Sequence, residues 1–192
     1  MITIRFCSTD DVQAILALQE SVFEDLGDKS DLLRRNTAET FERCTKEPNF
    51  TIGVYDKEEL IAVCIMEDAR GREDDLGISI KNEQVKQSKY ADSKLVMVKK
   101  KYRGQGLQRA LMCMLEENAR KRGYQYLLTS VSPDNSFSHL NIIGMGYVYD
   151  TDKTLYGGLK REIYVKLVEA NTDSRDSGFF RRDGICIDAA LQ

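Results

Sequence analysis

The sequence predicts an α+β fold in which a mixed, mostly antiparallel sheet has one parallel pair at its centre and helices on both faces. Residues 92–100 carry the apolar run Leu95-Val96-Met97-Val98, pass into the turn Arg103-Gly104-Gln105-Gly106, and continue as an amphipathic helix bearing Leu107, Ala110, Leu111, Met114 and Leu115. An apolar run at 126–131 follows. Strand, glycine turn, helix and strand form a crossover, which is right-handed in nearly all proteins and sets its two strands parallel. Two short β-branched runs at 50–55 and 60–66, parted by Asp56-Lys57-Glu58-Glu59, read instead as an antiparallel hairpin.

The other elements follow in chain order. Residues 2–6 alternate as a strand, and Ser8, Thr9 and Asp10 offer N-cap oxygens to a helix on Val12, Ile15, Leu16, Leu18, Val22 and Phe23 that stops near Gly27. A second helix is expected over 31–46, with Leu32, Leu33, Phe41 and Cys44 along it and Pro48 just beyond its end. Residues 67–90 form a polar excursion with a small apolar patch at 76–80. The helix from Leu107 ends at Gly123. After 126–131, Pro133 turns the chain, and Asp134, Asn135 or Ser136 caps a short helix marked by Leu140, Ile142 and Ile143 that closes at Gly144 or Gly146. Tyr147-Val148-Tyr149 and residues 162–168 make two last strands joined by a loop over 150–161. Beyond 168 the chain is polar, anchored only by Phe179, Phe180 and residues 185–187.

A chain of 192 residues with 42% hydrophobic content suits one packed domain and is short for two. The net charge is -3 with pI near 5.4, so no basic field argues for nucleic acid. The five cysteines are an odd number, widely spaced and without a C-x-x-C pair. They suggest neither a disulfide frame nor a zinc site, and read as buried thiols of a cytoplasmic protein. No stretch approaches the roughly 20 apolar residues of a spanning helix, and the N-terminus lacks a signal pattern.

A strand that feeds a glycine turn and a helix N-terminus aims free backbone N–H groups and the positive end of the helix dipole at one spot, which suits a phosphate. Here the residues resemble a known family. Arg103-Gly104-Gln105-Gly106 is similar to the R/Q-x-x-G-x-G/A pyrophosphate signature of the GNAT superfamily of acyl-CoA-dependent N-acetyltransferases, with Gln108 in its last small position. Pro133-Asp134-Asn135-Ser136-Phe137-Ser138, with Gly146-Tyr147 after it, looks like the family's N-x-x-S segment ending in G-Y. The element order is similar too, so the resemblance covers residues 1–168 as a GNAT-like acetyltransferase domain and leaves 169–192 as a C-terminal extension.

The resemblance implies a central parallel pair splayed around acetyl-CoA, with no metal. It assigns Met97 and Val98 to the pantetheine arm, Arg103, Gly104, Gln105, Gly106, Leu107, Gln108 and Arg109 to the pyrophosphate, and Asn135 and Ser138 to the side of the arm. The implied reaction is direct acetyl transfer to a primary amine on a small molecule or peptide, with no nucleic-acid or membrane partner and a homodimer allowed. A carboxylate-linked water takes the amine's proton, for which Glu67 and Asp92 are the candidates at the ends of neighbouring strands. The family's acid tyrosine falls on Ile142 here, leaving Ser138 as a weak stand-in, while His139, the sole histidine, reads as a surface or packing residue. Acids on the family's acceptor segments, Glu24, Asp25, Asp28, Asp31, Asp150 and Asp152, suggest a cationic or neutral amine. The missing tyrosine keeps open a catalytically silent acyl-CoA-binding sensor or interaction module, and a protein-interaction domain without cofactor is a third reading. A Rossmann turn fails because its third glycine falls on Arg109, and a Walker loop fails for want of G-K-S/T.

Overall fold

In a computed structural model of the protein, residues 1–168 and 184–191 are described, so the expected anchors Phe179 and Phe180 lie outside the described residues. The strands are β1 (Ile2–Phe6), β2 (Phe50–Asp56), β3 (Glu59–Glu67), β4 (Tyr90–Val98), β5 (Tyr126–Val131), β6 (Val148–Leu155), β7 (Leu159–Leu167) and β8 (Ile185–Ile187). The α-helices are α1 (Val12–Leu26), α2 (Ala38–Cys44), α3 (Glu83–Gln87), α4 (Leu107–Lys121) and α5 (Ser136–Ile143). One open sheet runs in the order β6-β7-β5-β4-β3-β2-β1-β8. It is parallel at β4–β5 and β1–β8 and antiparallel elsewhere, which is the expected mixed α+β class.

Ser8 opens the first helical segment with a capping box, its hydroxyl and the Asp11 carboxylate satisfying each other's backbone N–H groups. The helix stops at Gly27, whose φ is 53°. The buried stripe of α1, Ile15, Leu18 and Val22, packs on Val63, Ile65, Leu95 and Met97 from one face of the sheet. Leu107, Leu111 and Leu115 of α4 pack on Ile52, Ala62 and Cys64 from the other. Both faces are therefore covered, and β3 is buried along nearly its whole length.

Three sequence expectations change. Helix α2 starts at Ala38, not residue 31, because Thr37 caps it by accepting from the Thr40 N–H at 3.3 Å. The preceding chain is fixed instead by buried Gln19, which accepts from the Asn36 N–H at 2.8 Å and donates to the Asn36 carbonyl at 2.9 Å. The loop expected over 150–161 is mostly strand, since β6 continues to Leu155 in register with β7 and reverses through Tyr156, Gly157 and Gly158, all at positive φ. Cross-strand pairing outweighs the polar composition of residues 150–154. The cysteines are not uniformly buried: Cys7, Cys44 and Cys64 are, but Cys113 is half-buried and Cys186 exposed. No helix among the described residues is long and apolar enough to cross a membrane.

Candidate active site

The central parallel pair holds together over only three rungs, Tyr90↔Tyr126, Ala91↔Leu127 and Asp92↔Leu128. Beyond them β4 and β5 diverge, and the hydroxyl of Thr129 reaches across to the Ser93 carbonyl at 3.0 Å. A bulge in β4 marks the point of divergence. Met66 of β3 pairs with Ser93 and Ile65 with Leu95, so Lys94 is the extra residue. The bulge also reverses the side-chain alternation. Ala91 packs toward α4, whereas Leu95 and Met97 join the α1 side and Val96 and Val98 turn to α4. A pleat without the extra residue would put Leu95 on the α4 face. Met97 thus has a core side chain, and only its backbone faces the divergence.

At the far end of β4 the chain enters α4 through Gly104 and Gly106, at φ 73° and 79°. No atom lies within 4 Å of a Cβ built on either glycine, so the space over the turn is open. The first intrahelical bond runs from the Ala110 N–H to the Gly106 carbonyl. The N–H groups of Leu107, Gln108 and Arg109 precede it and have no helical acceptor. Arg103 lies against the strand end, donating to the Val98 carbonyl at 2.9 Å and pairing with Asp25 at 3.2 Å. Gln105 is exposed to an intermediate degree and reaches back to the Lys101 carbonyl at 3.4 Å. Gln108 points its side chain at Asn141 of α5, which donates to it at 2.9 Å, and Arg109 donates to the Gly144 carbonyl at 3.3 Å. Both residues therefore tie α4 to α5. The turn fits a pyrophosphate: open glycines, unclaimed helical amides and neighbouring cations.

On the α5 side, Asn135 is the helix N-cap, accepting from the Ser138 N–H at 3.1 Å, and Ser138 is half-buried. His139 is less isolated than its sequence context suggests. Its Nδ1 lies 3.0 Å from the Tyr164 hydroxyl and 3.2 Å from Glu162, and that hydroxyl donates to Glu162 at 2.6 Å. Burial and Glu162 together push the Tyr164 phenol upward.

The opposite face carries charge. Glu67 and Asp92 are register partners across β3 and β4 and so point to one side. Fully buried Glu67 is held by Arg43 at 2.7 Å and Lys94 at 2.6 Å. Asp92 accepts a long bond from the Leu76 N–H at 3.4 Å through one oxygen, while its other buried oxygen has no hydrogen-bond partner among the described residues. Burial, reinforced by the charge of Asp75, pushes its carboxyl well above the ordinary range. Asp75 is itself bound by the Tyr90 hydroxyl and the Gly71 and Gly77 N–H groups. Gly77 allows this approach, since a Cβ there would stand 2.0 Å from the Tyr90 oxygen.

Beside this cluster lies a cavity of about 680 Å³. Its walls come from the segment between α1 and α2 (Arg34), from α2 (Arg43), from the excursion (Arg72, Asp74) and from the β6–β7 turn (Tyr156). The sequence reading missed Lys94, Asp74 and the arginines. A lysine inside a strand otherwise made for burial was the one local sign.

The family model of the acetyltransferase (GNAT) domain matches residues 3–133, and the chain belongs to that family. Solved structures of similar fold include the ribosomal-protein-S18-alanine N-acetyltransferase of Escherichia coli, 18% identical with TM-score 0.64, covering 90% of this chain and 97% of that one. An N-acetyltransferase of Staphylococcus aureus matches at 15% identity and TM-score 0.64, over 88% of this chain and 99% of its own. The Salmonella typhimurium protein yncA, solved with its cofactor acetyl-CoA, matches at 14% identity and TM-score 0.63, over 90% of this chain and 97% of its own. No curated sequence matches significantly.

Proposed function

We propose that the protein is an acetyl-CoA-dependent N-acetyltransferase that acts on a primary amine by direct transfer. The observation that carries this is the three-rung parallel pair opening above Asp92 toward a glycine turn at a helix N-terminus. In this reading Arg103, Gly104, Gln105, Gly106, Leu107, Gln108 and Arg109 hold the pyrophosphate, the backbone at Met97 and Val98 flanks the pantetheine arm, and Asn135 and Ser138 lie along it. Bound there, acetyl-CoA supplies an acetyl group on a thioester. The protein's part is to align the amine from the cavity side and accept its proton as the C–N bond forms and the C–S bond breaks.

Between the two candidate bases the environment favours Asp92. Glu67 is committed to Arg43 and Lys94, whose charges hold its own in place. Asp92 has a free oxygen and a raised pKa, closer to what a base needs near neutrality. Ser138 offers a hydroxyl to the departing thiolate.

A second reading, an acyl-CoA-binding module without turnover, is favoured by Ile142, buried at the position of the family's acid tyrosine. Thiol release from acetyl-CoA over a panel of amines separates the two. Turnover with at least one amine is expected, whereas stabilisation by coenzyme A with none would establish the module.

A further inference from the structure

We propose that the acceptor amine also bears an anionic oxygen group, a carboxylate or a phosphate, and that the arginines of the 680 Å³ cavity bind it. The proposal rests on the transferase reading above. Among the described residues, Arg34, Arg43, Arg72 and Lys94 converge on only two carboxylates, Glu67 and Asp74. Asp75 is taken up by three other donors, the Tyr90 hydroxyl and the Gly71 and Gly77 N–H groups. The other acids of the lining, Glu39 and Glu73, are exposed, as Arg72 is, and water screens all three.

Two of these cations have donors to spare. Arg72 approaches Asp74 no closer than 3.6 Å and Glu67 no closer than 3.9 Å, beyond hydrogen-bond reach, and 44% of its side chain is exposed. Arg34 bonds Asp74 through one nitrogen at 3.1 Å, and its guanidinium carbon sits over the Tyr156 ring, 4.1 Å from the centroid. The ring holds the guanidinium in place, and a planar fork with remaining N–H groups matches the two oxygens of a carboxylate or phosphate. The native Asp74 shows how the site treats such a group. Burial opposes its charge, yet Lys94 and Arg34 hold it down to about 2.

Two of the six acids that suggested a cationic acceptor are engaged elsewhere. Asp25 pairs with Arg103 and Lys100 beside the glycine turn. Asp150 accepts from the Lys81 and Asn82 N–H groups at 2.6 and 3.1 Å, holding the start of α3.

The test is kcat/KM for a series of equal length: an ω-amino carboxylate, its uncharged amide, and the ω-amino phosphate. One or both anionic members should exceed the amide by about tenfold or more, and which does so identifies the group. Arg72→Gln should shrink that ratio roughly fivefold, and added salt should shrink it too. An amide acetylated as well as the anions overturns the proposal and leaves the transferase reading standing. So does a ratio that Arg72→Gln leaves unchanged. Acetylation of no member overturns the proposal whether or not coenzyme A binds. No thermal stabilisation by coenzyme A removes the transferase reading and the proposal with it.

Discussion

Glu67 and Asp92 stand opposite each other across β3 and β4, one clamped by Arg43 and Lys94 and the other with a bare carboxyl oxygen. Replacing each should therefore do different things. Asp92→Asn should lower the alkaline plateau of turnover by about a hundredfold without weakening acetyl-CoA binding. Glu67→Gln should act first on stability, costing about 3 kcal/mol in denaturant melts, because Lys94 and Arg43 lose a buried counter-charge. A parental pH profile in Asp92→Asn would mean that the amine's proton leaves by another route.

The same carboxyl bears on stability against pH. Its folded pKa lies above the ordinary 3.8, so its contribution is full below that value and is lost as pH rises through the raised one. The wild type should lose stability relative to Asp92→Asn as pH climbs from about 4, as urea midpoints measured across that range would record.

Gly106→Asp should abolish coenzyme A binding. A carboxylate about 4 Å from the pyrophosphate at an effective dielectric of about 20 repels it by roughly 4 kcal/mol, near a thousandfold in affinity. The turn has room for the side chain, but its backbone sits at φ 79°, so Gly106→Ala controls for strain alone. Calorimetry that finds equal affinity in the Asp variant would place the pyrophosphate elsewhere.

Asp11 is the acid-labile point of the α1 side. Hydrogen bonds from Arg5 chiefly, with Ser8 and Tyr55 and against the opposing effect of burial, bring its carboxyl down to about 2. A lowered pKa stabilises above the unfolded value and ceases to as pH falls through the folded one. Asp11→Asn should cost about 2 kcal/mol at pH 6, and the gap should close as the pH is taken toward 2.

Gln19→Ala tests how the arginine-bearing segment is held. It removes both bonds to the Asn36 backbone and leaves that buried amide without a partner, at about 2 kcal/mol. Faster hydrogen exchange at Asn36, with slower exchange elsewhere unaffected, is the expected signature.

What the sequence disclosed followed from how local each signal was. Ser8, Gly27, Gly106 and Gly123 state their positions through capping and φ, and the alternation in β2 and β3 needs no partner to be recognised. The start of α2 was misread because Gln19 acts on Asn36 from the neighbouring helix, and β6 because its extended form depends on β7. The bulge at Lys94 has no local mark in Asp92-Ser93-Lys94-Leu95, so the switch of Leu95 to the α1 face was not legible. The cavity's charge balance was hidden for the same reason. Arg34, Arg43, Arg72 and Lys94 are 9 to 29 residues apart along the chain when taken in succession, and only the fold sets them around Glu67 and Asp74.

The short strand β8 lies along β1, pairing Ile2, Thr3 and Ile4 with Ile185, Cys186 and Ile187, while Ile2 donates to the Gly184 carbonyl and Asp188 to that of Ile4. Without it, β1 would be the outermost strand on that side, offering a row of unclaimed amides and carbonyls on a flat backbone. Such a margin is a template for the strand of another molecule. The opposite margin needs no guard of this kind, since β6 is broken by a bulge near Tyr149 and carries Asp150, Asp152 and Lys153. Both borders of the sheet are thus blunted, by charge and irregularity at one and by a segment of the molecule's own chain laid down at the other.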